Sequence, residues 1–193
     1  MLRQERNEIS DAGWLLAKVT DFTLLNNFDC GDDDLNDFFH NDAVRYKTEL
    51  MAETYSLNEA TERITPVALV SLCNDHIRLD KFKIETAKKA VNCIHQNKRR
   101  TGIPAVKIAR LGVASNIQGN SIGSHIINII KKLFLINNRT GCRFLTVDAY
   151  RKDNVLNFYK KNGFQLITSK DATKLSRAMF FDLKTIQIDF EID

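Results

Sequence analysis

The spacing of apolar and polar positions divides the chain into two halves with different rhythms. In the first, residues 14–19 (WLLAKV) form an apolar run of strand length. Asp32, Asp33 and Asp34 crowd a predicted helix start, where negative charge meets the positive end of the dipole. Leu35, Phe38, Phe39 and Ala43 follow at helical spacing as an apolar stripe. Residues 52–60 (AETYSLNEA) and 65–75 (TPVALVSLCND) predict two strands joined by a polar turn around Glu59 to Arg63, with Asp75 and His76 in the loop that follows. A short helix is predicted over 85–96 and a basic loop over 97–102 (NKRRTG).

The second half alternates strand and helix. Residues 105–114 (AVKIARLGVA) predict a buried strand. A polar turn with glycines at Gly119 and Gly123 leads into a helix whose core face is Ile122, Ile126, Ile130, Leu133 and Phe134, with Gly141 as its stop. Residues 143–149 (RFLTVDA) predict a strand, and 154–162 a helix with Val155, Phe158 and Tyr159 on one face, Asn154 as its N-cap and Gly163 at its end. GFQLI and AMFFDLKTI are the last strands. The sum is a mixed α/β sheet with helices on both faces. Two prolines, no Gly/Ser-rich linker and no internal repeat predict one domain over 1–193.

Composition removes several classes. The first ten residues (MLRQERNEIS) are charged and predict no secretory signal. The most apolar run, IINIIKKLFLI, is interrupted by Lys131 and Lys132 and is too short to span a bilayer. Cys30, Cys73, Cys93 and Cys142 are scattered, without metal-ligand spacing among themselves or with the four histidines, so no metal centre is expected and reduced cytoplasmic thiols are. Charge is unevenly placed. Residues 1–96 carry 11 basic and 17 acidic side chains, a net of −6, whereas residues 97–177 carry 16 basic and 3 acidic, a net of +13. The basic excess surrounds the glycine turn. It suits a polyanionic ligand (a nucleotide-type cofactor, RNA or both), or is a solvated face balancing the acidic half.

A turn of small residues opening into a helix is built for an anion, because the first helical N–H groups have no internal partner and the dipole adds positive charge. The P-loop pattern fails, since no Lys-Ser/Thr follows the glycines, and the Rossmann pattern fails, since no GxGxxG is present. The run Gln118-Gly119-Asn120-Ser121-Ile122-Gly123, with RFLTVDA and NVLNFYKKNGF after it, resembles the GCN5-related N-acetyltransferase (GNAT) superfamily, whose phosphate loop is Gln/Arg-x-x-Gly-x-Gly/Ala. Ser121 stands where that loop has its middle glycine, and serine tolerates positive φ poorly. The stretch Phe28-Asp29-Cys30-Gly31, followed by Leu35-Asn36 and Phe38, is similar to a subgroup that includes toxins acetylating aminoacyl-tRNA. It also reads as an ordinary helix cap and apolar stripe.

The resemblance implies a twisted, mostly antiparallel GNAT-like sheet and acetyl-CoA as cosubstrate. It implies pyrophosphate bound at Gln118, Gly119, Asn120, Ser121, Ile122, Gly123 and Ser124, and the thioester polarised by backbone at Leu111, Gly112 and Val113. Gly112 also reads as a packing glycine. Tyr159 corresponds to the family's general acid, and is otherwise a core tyrosine; Asn154 touches the cofactor or only caps its helix. No single general base emerges from Asp75, His76 and Asp148. The acceptor is an amine: that of aminoacyl-tRNA, with an antitoxin as partner, or that of a small molecule or protein. A non-catalytic CoA-binding module is the remaining alternative. No membrane is implied, and homodimers are common for such folds.

Overall fold

The computed structural model describes residues 4–5, 8–11, 13–60, 65–78, 102–136 and 140–186. The predicted helix over 85–96, Lys98, Arg99 and Arg100 of the basic loop, and Arg139 lie outside these residues. The described residues within Met1–Asn74 and Lys107–Ile136 pack as one compact unit, and those within Asp75–Val106 and Asn137–Asp193 as a second.

In the first unit, strands β1 (Gln4–Glu5), β2 (Glu8–Asp11), β3 (Trp14–Lys18), β4 (Glu53–Glu59) and β5 (Ala68–Arg78) are successive antiparallel neighbours. Leu16 faces Leu57 and Tyr55 faces Val70 across the ladder. Strand β6 (Gly102–Val113) follows β5 in the sheet order, and Ala114 N–H donates to the Val67 carbonyl beside it. The first five residues of β5 are all buried, as a near-continuous apolar run demands when both faces are covered.

A helical segment then packs on this sheet. Helix α1 (Asp33–Asp37) is capped by Asp32, whose carboxylate accepts the Leu35 N–H at 3.2 Å. A single π turn (Phe38–Asp42) interrupts the helix predicted from the stripe, and α2 (Ala43–Thr48) continues it. The wider turn lets both Phe38 and Phe39 into a core with Val19, Leu25, Phe28 and Ala43, their rings edge-to-face at 5.5 Å. Lys47 anchors α2, donating to the Val19 carbonyl at 2.7 Å and lying 5.3 Å from the Phe22 ring centroid. Helix α3 (Ile122–Ile136) buries Ile122, Ile126, Ile127, Ile129 and Ile130. Its buried face is thus broader than predicted at its start, while Leu133 and Phe134 are only half-buried. Lys132 ties it to β2 through a 2.6 Å ion pair with Asp11.

The second unit holds β7 (Phe144–Tyr150), helix α4 (Asp153–Lys161), β8 (Gln165–Leu166) and β9 (Ser176–Asp182). Strand β9 pairs antiparallel with β7 on one side and β8 on the other. Its core joins Ile77, Ala105, Phe144 and Phe180. Arg143 grips Asp182 with two hydrogen bonds, at 3.1 and 2.9 Å. Two expectations are corrected here. Strand β5 continues through Asp75 and His76 to Arg78, because Ile77 is buried and holds the chain extended while Asn74, His76 and Arg78 face out. Helix α4 has Lys152 rather than Asn154 at its N-cap, since the extended chain (φ −113°) turns helical already at Asp153.

Every strand pairing with a described register is antiparallel, in keeping with the predicted sheet. No helix among the described residues is long and apolar enough to cross a membrane. At the end of α4, Gly163 has φ +82°, and a Cβ there would lie 2.9 Å from the Phe181 ring. Gly163→Ala is therefore expected to cost about 2 kcal/mol or more from left-handed strain and overpacking together, measured by urea denaturation.

Candidate functional site

The candidate anion loop begins where β6 ends. Leu111 and Val113 are half-buried and Gly112 is buried. A Cβ on Gly112 would meet Cys30 and Phe28 at 3.2 Å, so this glycine is there for close packing of the strand on the turn that holds those residues. A short 3₁₀ turn (Ser115–Ile117) follows, and Gln118 is extended at φ −57°, ψ 152°. Gly119 has φ +89° with nothing within 4 Å of a would-be Cβ, so its role is conformational. Ser121 has φ +62°. The position does require the left-handed region, and serine occupies it under strain.

Gln118, Gly119, Asn120 and Ser121 are exposed. Ile122 begins α3, and the His125 N–H donates to the Ser121 carbonyl at 3.0 Å as the helix closes its first turn. The N–H groups at the start of an α-helix, here those of Ile122 and Gly123, point along the helix axis toward its positive end. An exposed loop with two left-handed residues, leading into a fifteen-residue helix, can therefore present backbone donors and the helix dipole to a phosphate.

The Gln118 side chain is not one of those donors. Its Nε2 donates to the Cys30 carbonyl at 2.8 Å and to the Val113 carbonyl at 2.9 Å. It straps the loop to the end of β6 and to the Phe28–Gly31 turn. Sequence reasoning placed Gln118 in the loop but missed this use of its amide and the Cys30 carbonyl that receives it.

Tyr159 and Asn154 belong to the second unit. Asn154 is the exposed second residue of α4. Tyr159 is buried, its ring packed at 5.0 Å from Phe158 and 5.4 Å from Phe164. Burial pushes its phenol well above the ordinary tyrosine value, so the group is protonated at any working pH. In the same unit, buried Thr146 donates through Oγ1 to Asp75 Oδ2 at 2.6 Å, and the His76 N–H donates to Asp75 Oδ1. Asp148 is exposed on β7. Among the basic residues of the +13 segment that lie in this unit, Arg143 is paired with Asp182. Arg151 donates to the Ala172 carbonyl, and Lys152 lies 5.8 Å from the Tyr150 ring centroid; both side chains are on exposed residues.

Comparison with solved structures decides the fold. A tyrosine-to-phenylalanine mutant of KacT superimposes with a TM-score of 0.68 at 18% identity, over 90% of this chain and 96% of that one. AtaT complexed with acetyl-methionyl-tRNAfMet gives 0.66 at 22%, over 89% and 96%. AtaTR bound with AcCoA gives 0.66 at 23%, over 91% and 96%. The chain has the GNAT fold. No family model matches the sequence, and no curated protein matches it. At these identities the likeness to KacT and AtaT is one of architecture.

Two expectations follow from the strained Ser121 and from the buried Tyr159. Ser121→Gly relieves left-handed strain, so it should raise stability by about 1 kcal/mol in urea denaturation and leave CoA affinity equal or better by calorimetry. A large loss of affinity would make the serine hydroxyl a ligand. For Tyr159, the folded state keeps a proton that the unfolded state releases near pH 10. Stability is thus fully present below that pH and falls as pH rises through it, and Tyr159→Phe should remove that part of the alkaline decline.

Proposed function

We propose that this chain is a single-domain, acetyl-CoA-dependent N-acetyltransferase of the toxin type, whose acceptor is the amino group of aminoacyl-tRNA. The observation that carries the reading is the exposed loop from Gln118 to Ser121 before α3, with Gly119 and Ser121 both left-handed, in a GNAT fold. Ser121 keeps the conformation a glycine would take, which supports a working loop over a decayed one. That KacT and AtaT share the architecture, with AtaT solved with AcCoA and with acetyl-methionyl-tRNAfMet, favours the tRNA acceptor over a small amine. AtaT is also solved with its antitoxin AtaR, and an antitoxin partner belongs to the same proposal.

In this reading backbone N–H groups of residues 119–124 hold the pyrophosphate, and the 111–113 backbone polarises the thioester carbonyl. The acceptor nitrogen attacks the carbonyl carbon, the C–S bond breaks, and the sulfur leaves with the bonding pair. Tyr159, which corresponds to the family's general acid, is the residue we assign to protonate that sulfur, and its phenol carries the proton. The burial that keeps it protonated also opposes a lasting tyrosinate, so the proton it gives is restored by the one the acceptor nitrogen loses. An α-amino group, with a pKa near 8, is neutral in part near pH 7, and that fraction attacks without a dedicated base.

The test is acetyl transfer from acetyl-CoA to purified aminoacyl-tRNA at low salt, read by mass spectrometry. Wild type should acetylate the α-amine, and Tyr159→Phe should lower kcat by about 10²-fold with KM for acetyl-CoA little changed. Equal turnover in Tyr159→Phe would leave Tyr159 a core residue. Absence of acetylated tRNA, with transfer to peptides or polyamines instead, would replace the acceptor.

A further inference from the structure

We infer that Asn36, on α1, is a positioning residue for the pyrophosphate loop, acting through Cys30 and Gln118; the inference rests on the acetyltransferase reading for its ligand but not for its geometry. Asn36 is half-buried and spends its amide on the turn before its own helix. Its Oδ1 accepts the Cys30 N–H at 3.0 Å and faces the Cys30 Sγ at 3.2 Å. Its Nδ2 donates to Asp29 Oδ1 at 2.7 Å, the same oxygen that accepts the Gly31 N–H at 2.8 Å. The Asp29 backbone carbonyl accepts the Ser115 N–H at 2.8 Å. The turn is thereby fixed from both sides, with Gly31 at φ +73°.

What the turn holds out is the Cys30 carbonyl. Gln118 hangs on it by a hydrogen bond between residues 88 positions apart in sequence. Helix α1 does not need Asn36 for its own start, because Asp32 is its cap. The loop, by contrast, needs an outside restraint. Ser121 is strained at φ +62°, and such strain persists only where the surroundings over-determine the backbone. The path Asn36–Cys30–Gln118 is that restraint at the loop's entrance. Loss of either amide frees the loop to relax out of the left-handed turn, and the N–H groups no longer converge on one anion.

The experiment has two arms. In ligand-free protein, Asn36→Ala should speed amide hydrogen exchange of residues 118–124 by about tenfold or more, with residues 144–150 unchanged. In kinetics, Asn36→Ala should raise KM for acetyl-CoA about tenfold with kcat within twofold. Gln118→Met removes the other end of the path while leaving α1 and the 29–31 turn intact, and serves if Asn36→Ala folds poorly. Because the two residues act in series, the double variant should be no worse than the worse single. Adding Ser121→Gly should recover part of the lost affinity, since it removes the strain the path contains. Unchanged loop exchange in both single variants, or additive losses in the double, overturns the inference. Failure of wild type to bind acetyl-CoA overturns the functional reading instead, and the exchange arm still decides whether Asn36 holds the loop.

Discussion

The Gln118 carboxamide, shared between the carbonyls of Cys30 and Val113, is the contact on which the candidate site depends. One of its hydrogen bonds closes the exit of β6 and the other reaches the turn that precedes α1. The Ala114 and Ser115 N–H groups already fix the chain just after Val113, on the Val67 and Asp29 carbonyls, and Gln118 carries that restraint on to the mouth of the loop. The loop itself has few means of holding its shape, being exposed, carrying Gly119, and straining Ser121. A phosphate grip made of backbone N–H groups works only if those groups are aimed in advance. At the loop itself the restraint is a neutral amide, that of Gln118.

Much of the fold was legible because burial leaves periodic traces. The stripe of Leu35, Phe38, Phe39 and Ala43, the isoleucines of α3 and the apolar run of β5 each announced their element. The π turn left no such trace, since both a regular helix and a bulged one place these residues near the core. Asp75 and His76 read as loop because polar residues end most strands, yet one buried Ile77 was enough to carry β5 onward. Asn154 was a reasonable cap by type, but a cap is defined by where the backbone turns, and it turns after Lys152.

The candidate site divides along the same line. Glycines at 119 and 123 and a serine at 121 are visible as a loop signal, and Ser121 posed a question that only a dihedral angle answers. Asn36 and the amide of Gln118 gave no signal of their own, because a hydrogen bond between distant positions has no period. The motif around Cys30 was the nearest hint. Its resemblance pointed to a subgroup, and the structure supplies a physical use for its polar members: Asp29, Cys30 and Asn36 build one turn, and Gly112 is small so that β6 can lie against it.

The π turn between α1 and α2 has a further consequence for how this chain can vary. It holds one residue more than a regular helical turn, and about 100° of rotation accompanies each residue along a helix. A single deletion within 38–42 would therefore straighten the helix and swing α2 about its axis. Lys47 would leave the Val19 carbonyl, and Tyr46 would leave its edge-on seat 5.2 Å from Phe38. Point substitutions on the exposed side of α2 disturb neither contact. The segment is thus tolerant of changes in chemistry and intolerant of changes in length, and among related chains the spacing from Cys30 to Lys47 should vary less than the residues that fill it.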